Sequence, residues 1–315
     1  MDYKKYLKLG VNHHLLNINH SWKPEEHERS LDQLLGDDRF ELLDVWIPMD
    51  HSVREHEIDA ILKSEKQIIY NIGTRRGKEP AHPASLDLAK REYSLEFYKR
   101  ELDSAVAANA KKVVTNSGPD IPDRRKDAFE ALVDFYIEIC RYVAMRSDML
   151  ILIEPTDRET DKRKLIGPSI EAVRLVKSIH QAGYQNFGSM IDMCHIPLMG
   201  ETISQAMHET NRYIGHIHLG NCILRDKKHP LFGDKHVPIG IPEGEYAVHD
   251  VAQLLLTGLE LGYFNKQDRG TVSLEMRPFE KMSPTESLDI YFKMFLEAWD
   301  LVVKQLKTKD LLDSD

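Results

Sequence analysis

The stretch Ser189-Met-Ile-Asp-Met-Cys-His195 runs from an apolar segment into an aspartate, Asp192, with a histidine three residues later. Three other apolar segments end in a similar way: Leu150-Ile-Leu-Ile-Glu154, His216-Ile-His218 and Val272-Ser-Leu-Glu275. Each of them places a side chain that can form hydrogen bonds or ligate a metal ion at the C-terminal end of a predicted strand. In a closed barrel of parallel strands, the active site is built at that end. The sequence therefore predicts that these four strand ends meet in one site.

Short apolar segments alternate with segments of helical periodicity along the whole chain. The predicted strands, rich in β-branched residues, are 7–11, 42–47, 67–72, 112–115, 150–154, 188–192, 215–219 and 271–275. The predicted helices are 25–35, 53–64, 85–109, 124–145, 169–182, 202–211, 248–261 and 284–307. Eight such units in a chain of 315 residues predict an α/β fold, a single (β/α)8 TIM barrel. Residues 1–307 are then one catalytic domain, and 308–315 form a C-terminal tail.

The composition narrows the class of protein. Hydrophobic residues make up 42% of the chain, which is enough for a large core, and the net charge of -9 argues against nucleic acid or an anionic membrane as the main partner. No apolar run approaches the roughly 20 residues that span a bilayer, and no apolar signal core follows the first residues. The three cysteines are odd in number and show no paired spacing, so a disulfide framework is not expected. We expect a cytoplasmic protein.

One long irregular segment, residues 221–247, follows the seventh predicted strand. It contains Arg225, His229, Asp234 and His236 among several glycine and proline turns. A loop of this length inside a compact domain is usually either functional or disordered. Its content indicates a binding loop, with His236 as a candidate substrate-binding residue.

Side chains in a strand alternate between its two faces, which allows a check on the four strand ends. If Glu275 points into the barrel, so do Ser273 and Thr271, while Val272 and Leu274 face the helices. The inward set is then small and polar and the outward set is aliphatic. Three buried carboxylates beside an imidazole would repel one another without a cation. Oxygen-rich ligation with one nitrogen suits Mn²⁺, Mg²⁺ or Co²⁺ better than a structural zinc site, and Mn²⁺ is the ion we expect.

Each of these residues also has a purely structural interpretation. A carboxylate at a strand end, such as Glu154 or Asp192, can simply cap the next helix. His216 is better interpreted as a core histidine than as a ligand. Of the pair His13 and His14, one is expected to face the site while the other packs or is exposed. The cysteines near the site, Cys194 and Cys222, are interpreted as packing residues.

The order Leu-Ile-Glu154, Ile-Asp192-x-x-His195, His216-x-His218 and Leu-Glu275 resembles the xylose isomerase-like TIM barrels over essentially the whole chain. These include ketose 3-epimerases, inosose dehydratases and relatives of endonuclease IV. The resemblance implies metal ligation by Glu154, Asp192, His218 and Glu275, with His195 beside the metal or the substrate. Relatives of endonuclease IV carry more histidine ligands around three zinc ions, and the acidic charge and sparse ligand set argue against that branch.

A narrower resemblance is to the larger, catalytic subunit of bacterial C-glycoside deglycosidases. The strings that carry it are Gly10-Val-Asn-His-His14, Asn116-Ser-Gly-Pro-Asp120, Asp161-Lys-Arg-Lys-Leu-Ile-Gly-Pro168, His218-Leu-Gly-Asn-Cys222 and His229-Pro-x-x-Gly-Asp234-x-His236. This resemblance implies cleavage of the carbon–carbon bond of a 3-oxo-C-glycoside, with release of the aromatic aglycone. It also implies a small β-sandwich partner subunit. Ketose epimerases differ after the histidine strand, where they lack the Gly-Asn-Cys step.

The hypotheses share one chemical step, removal of a proton from the carbon next to a carbonyl that a metal ion polarises. The favoured hypothesis is the C-glycoside deglycosidase, and the alternative is a ketose 3-epimerase or sugar isomerase. In the epimerase, Glu154 and Glu275 would exchange protons on opposite faces of the sugar. In the lyase, His14, His195 or His236 would assist the departing aglycone.

Two further residues are candidates for substrate binding. Asn116 is one, and Arg277 is the other, unless it forms a salt bridge with a neighbouring carboxylate. Two other classes remain open. One is a non-catalytic barrel with a degenerate site. The other is a nuclease, which would need a basic groove and several zinc ligands, and neither is evident in the sequence.

Overall fold

Eight parallel strands close into a barrel in the computed structural model, in the order β1 to β8 around the ring. The structure describes residues 1–19, 23–48, 52–72 and 81–308. The strands are β1 Leu7–Asn12, β2 Leu42–Val45, β3 Gln67–Asn71, β4 Lys112–Thr115, β5 Leu150–Ile153, β6 Phe187–Asp192, β7 Ile214–Leu219 and β8 Gly270–Leu274. Each strand pairs only with its neighbours in sequence, and β1 pairs with β8. The predicted single barrel is confirmed.

A long helix follows each strand and covers the outside of the barrel. These helices are Pro24–Leu35, Arg54–Lys63, Leu88–Ala107, Arg125–Ala144, Ser169–Gln181, Ile203–Thr210, Val248–Glu260 and Pro284–Thr308. Two short helices, His13–Leu16 and His195–Leu198, begin directly at the C-terminal rim. The predicted tail, apart from the end of the last helix, lies outside the described residues. No helix in the described ranges is long and apolar enough to cross a membrane.

Four predicted strand ends are too long: β2 by two residues, and β3, β5 and β8 by one residue each. β5 ends at Ile153 and β8 at Leu274, so Glu154 and Glu275 are the first residues beyond the strands. Their backbone amides still continue the barrel ladder, because Glu154 N donates to Thr115 O and Glu275 N donates to Leu219 O, each at 2.9 Å. The correction places both glutamates at the rim. It also puts Arg277, two residues after Glu275, in a loop beyond β8.

The barrel interior contains a small apolar layer with polar residues on either side. The members of the apolar layer are Leu42, Ile69, Val114, Leu152 and Met190, with Leu150 packed against them. The neighbouring Ile151 and Ile153 belong to the separate outer core between barrel and helices. This alternation agrees with the predicted side-chain parity of β5. The apolar layer supports the C-terminal rim, where the candidate site lies.

β7 enters the barrel through an irregularity that a glycine permits. The β6–β7 ladder shifts register between Ser189 and Met190. A Cβ atom on Gly215 would lie 2.3 Å from Leu152 Cδ2 and 2.9 Å from Leu150 Cδ2. Glycine is therefore required by the close approach of the interior leucines. The shift sets the position of the two histidines that follow on this strand.

Candidate metal centre

The structure brings together the four side chains of the predicted ligand set. Glu154, Asp192, His218 and Glu275 each offer a donor atom, and these atoms all lie within 4.8 Å of one another. They come from four consecutive positions in the barrel, at the ends of β5, β6, β7 and β8. Asp192, His218 and Glu275 are at most 5% exposed. Glu154 is more open, with 19% of its side chain exposed, and it lines the cavity above the site.

His218 is held by a buried aspartate that the sequence analysis did not assign to the site. Its Nε2 lies 2.9 Å from Asp44 Oδ1, so Nε2–H donates to the carboxylate and Nδ1 is left to face the other proposed ligands. That Nδ1 lies 2.6 Å from Glu275 Oε2. Asp44 also accepts a bond from the Ser273 hydroxyl. A partner of this kind fixes the tautomer and orientation of a metal-ligating histidine.

Glu275 is oriented from the opposite side by Asn12, the last residue of β1. Asn12 Nδ2 donates to Glu275 Oε1 at 2.7 Å, and Asn12 Oδ1 accepts from Leu15 N at 3.1 Å, which caps the short helix behind it. One oxygen of Glu275 is thereby occupied while Oε2 faces the other donors. The Glu275 side chain is thus held in one orientation before any ligand binds.

Unsatisfied buried atoms converge on the centre of this group. Asp192 Oδ2, His218 Nδ1 and Glu275 Oε2 are buried and form no well-aligned hydrogen bond among the described residues, although His218 Nδ1 and Glu275 Oε2 lie 2.6 Å apart. Burial, opposed by His195 and reinforced by Glu275 and Asp192, raises the pKa of Glu154 to about 7. Orphaned acceptors and crowded carboxylates are costly unless a cation joins them. The donor set, three carboxylates and one imidazole, fits a divalent ion that prefers oxygen.

Beside this group, Asp234 lies between two histidines. His195 Nε2 lies 3.2 Å from both Asp192 Oδ2 and Asp234 Oδ2, and His236 Nε2 lies 2.8 Å from Asp234 Oδ1. Burial lowers the pKa of His236, but Asp234 and Glu275 outweigh burial and raise it to about 9. His236 adopts a φ of +47°, a strained conformation that often marks functional positions. Asp234 therefore holds both imidazoles toward the cavity.

The cavity above the centre has a volume of about 430 Å³ and collects the other predicted residues. His14, Asn116 and Arg277 line it together with Glu154 and His236. Its size is sufficient for a small ligand. Arg277 Nε donates to Lys235 O at 2.6 Å and forms no ion pair with a carboxylate in the parts of the chain that the structure describes.

The paired histidines and the cysteines follow their structural interpretations. His14 faces the cavity, and burial lowers its pKa to about 4, whereas His13 is fully buried against Ser30. His216 Nδ1 and Thr271 Oγ1 share a hydrogen bond of 2.9 Å in the barrel interior. Cys194 and Cys222 are buried in one small apolar cluster.

The sequence analysis missed Asn12, Asp44 and Asp234 as site residues. Asp44 lies two residues after Leu42 on β2, so both side chains point into the barrel. This alternation could have been used to assign Asp44 to the site. Asp234 stands two residues before His236 in the irregular loop, but which way such a loop folds back cannot be read from periodicity. Asn12 gave no signal beyond its place at a strand end.

The chain belongs to a known superfamily. Residues 34–287 match the family model described as xylose isomerase-like TIM barrel, so the chain is a member of that family. No curated protein matches the sequence.

Solved structures share the whole fold at low identity. A 3-keto-D-glucoside 4-epimerase from E. coli is 15% identical with a TM-score of 0.67, covering 91% of this chain and 98% of its own. A D-tagatose 3-epimerase-like protein is 16% identical with a TM-score of 0.70, covering 95% and 100%. A D-psicose 3-epimerase from Clostridium cellulolyticum H10 is 16% identical with a TM-score of 0.62, covering 95% and 99%. These likenesses establish the fold.

Proposed function

We propose that this protein is a divalent-metal-dependent sugar epimerase that removes a proton from the carbon next to the carbonyl of a keto sugar. The observation that carries the proposal is the convergence of Glu154, Asp192, His218 and Glu275 within 4.8 Å. Three of the four, Asp192, His218 and Glu275, have a buried atom without a well-aligned hydrogen bond beside a sugar-sized cavity, which adds support. The structures of similar fold include a 3-keto-glucoside epimerase and ketose 3-epimerases by name. They favour the epimerase over the lyase, which none of those names suggests.

The four side chains would hold Mn²⁺, with Mg²⁺ or Co²⁺ as alternatives. When bound, the ion supplies Lewis-acid polarisation of the sugar carbonyl. Glu154 and Glu275 stand at the ends of β5 and β8, three strands apart in the ring. Carboxylates that approach a sugar from different walls of the barrel can remove a proton from one face and return one to the other. Asn12 holds Glu275 for this role.

The remaining predicted residues act on the rest of the sugar. His195 and His236 line the cavity, and Asp234 favours the protonated form of each by raising its pKa, so both bring positive charge to the bound sugar. His14, held neutral because burial lowers its pKa to about 4, can accept a hydrogen bond from the sugar. Arg277 and Asn116 are placed to bind hydroxyl or carbonyl oxygens.

One observation keeps the C-glycoside deglycosidase as a second candidate. Residues from several strings that carry that resemblance line the cavity: His14, Asn116, Lys164, Asp234 and His236. In that function, proton removal beside a 3-oxo group is followed by expulsion of the aromatic aglycone. One of the histidines would then assist the leaving group, and a small β-sandwich subunit would complete the enzyme.

The two functions give different products in one experiment. The Mn²⁺-loaded protein is incubated in D₂O with D-fructose, with a 3-keto-D-glucoside and with a 3-oxo-C-glucoside of a flavone, and proton NMR follows each mixture. Loss of the signal next to the carbonyl together with a new epimer supports the epimerase. Release of free aglycone, alone or with a partner subunit, would support the lyase. No exchange with any substrate, in protein that also binds no metal, would support the non-catalytic barrel.

Two variants connect this activity to the metal centre. Glu154→Gln and Asp192→Asn should each lose bound Mn²⁺ and exchange activity together, because each removes one charged ligand. Circular dichroism and the melting temperature show whether the fold survives. Normal turnover in both variants would contradict the proposed centre.

A further inference from the structure

Three lysines and one arginine line the cavity although the chain as a whole carries a net charge of -9. They are Lys162, Lys164, Lys235 and Arg277. Two of them are already neutralised, because Lys162 Nζ lies 3.3 Å from Asp234 Oδ2 and Lys235 Nζ lies 2.8 Å from Asp161 Oδ2. Lys164 and Arg277 have no carboxylate partner in the described ranges. The absence of a carboxylate partner for Lys164 and Arg277 among the described residues is therefore the feature that needs an explanation.

Lys164 is the more informative of the two. Its ammonium has one hydrogen-bond acceptor in the described part of the chain, Asn116 Oδ1, at the long distance of 3.4 Å. Burial, with the nearby Lys162, lowers the pKa of Lys164 below its ordinary value. A partly buried ammonium with a single long hydrogen bond and no ion-pair partner is poorly satisfied, so this side chain is better suited to a ligand than to the free protein.

The backbone at Lys164 is fixed, so its side chain projects from an ordered part of the cavity wall. Lys164 N donates to Asp157 O at 2.8 Å, and Lys164 forms an isolated bridge with Pro119. The carboxylate of Asp157 accepts three successive backbone amides of the same loop, from Thr160, Asp161 and Lys162. A preorganised cation loses little freedom when it binds an anion.

We propose that the keto sugar that occupies this cavity carries an oxyanion, a carboxylate or a phosphate, and that Lys164 binds it with Arg277 as a second donor. The inference rests on the proposed function, since it names the class of sugar that the same site accepts. Nearby Glu154 does not serve as the missing partner, because it belongs to the metal-ligand group and forms no ion pair with Lys164. Charge-assisted hydrogen bonds of this kind are the strong ones in binding sites.

Three ketoses that differ only at C6 test the inference: D-fructose, D-fructuronate and D-fructose 6-phosphate. Their affinities for the Mn²⁺-loaded protein are measured by isothermal titration calorimetry. We expect at least one charged ketose to bind about tenfold or more tightly than D-fructose, and the one that does identifies the anion. Lys164→Met should abolish that preference, so that the charged ketose binds within about twofold as tightly as D-fructose does.

Lys235→Met is the matched control, because it removes one positive charge from the same cavity wall but from a lysine that Asp161 already neutralises. It should keep the preference for the charged ketose. A preference that survives in Lys164→Met would show that the metal or the general field causes it, and would overturn the proposal. Equal affinity of the native protein for neutral and charged ketoses would also overturn it, while epimerisation of D-fructose would leave the proposed function standing. Failure of all three ketoses to bind would count against both.

Discussion

Asp44→Asn tests whether a residue remote in sequence controls the metal centre. Asp44 is fully buried, lies 2.9 Å from His218 Nε2 and accepts a hydrogen bond from Ser273. Burial would raise the pKa of Asp44, but His216 and His218 outweigh it and hold that pKa below its ordinary value. The side chain is therefore a carboxylate in the folded protein. Asparagine keeps its size but removes its charge, and its amide can present NH₂ where His218 needs an acceptor.

The expected loss is in metal affinity. Removing a hydrogen-bonded partner behind a ligating histidine typically costs 10–100-fold, or about 1.4–2.7 kcal/mol. Titration of the metal-free protein with Mn²⁺, with free Mn²⁺ followed by electron paramagnetic resonance, measures that affinity. A melting curve of the metal-free variant separates this loss from a loss of folding.

Asp120→Asn is the control for the change of charge alone. Asp120 has only 4% of its side chain exposed and pairs with Arg125 at 2.7 Å, but it contacts none of the four proposed ligands. It should bind Mn²⁺ as the native protein does. A Mn²⁺ affinity of Asp44→Asn within twofold of the native value would refute the argument that Asp44 orients His218.

Two predictions concern the barrel beneath the site. Burial lowers the pKa of Lys112 to about 8, while the unfolded chain keeps that proton to about pH 10.4. The free energy of unfolding of the native protein should therefore increase between pH 8 and pH 10, by up to about 3 kcal/mol more than that of Lys112→Met. Urea unfolding at each pH measures both values. A difference between the two proteins that does not change with pH would contradict this prediction. Gly215→Ala should destabilise the fold by about 1–3 kcal/mol because its Cβ would overlap Leu152. In a double-mutant cycle, Gly215→Ala should cost less in a chain that already carries Leu152→Ala than in the native chain, because the smaller side chain leaves room for the added Cβ.

The fold and the convergence of the four strand-end side chains could be predicted because they depend on local patterns. Alternating apolar segments specify a parallel barrel, and the parity of β8 distinguishes inward Ser273 and Thr271 from outward Val272 and Leu274. The ends of β5 and β8 were predicted one residue too late, because the ladder beyond Ile153 and Leu274 continues for only one backbone hydrogen bond. The positions of Asn12 and Asp44 depend on the register between strands far apart in sequence, which one sequence does not show. Asp234 depends on how a long loop folds back over the rim.

The polar residues inside the barrel form a column that explains why a buried carboxylate is tolerated at Asp44. Lys112 Nζ donates to Thr271 Oγ1 at 2.8 Å, Thr271 hydrogen-bonds to His216, and His216 Nε2 lies 3.4 Å from Asp44 Oδ1. A buried charge is costly unless neighbouring groups stabilise it. Here the ammonium of Lys112 and the imidazoles of His216 and His218 provide that stabilisation. The metal-binding rim and the interior of the barrel are therefore one electrostatic unit, so a substitution low in the barrel can weaken a ligand that it never touches.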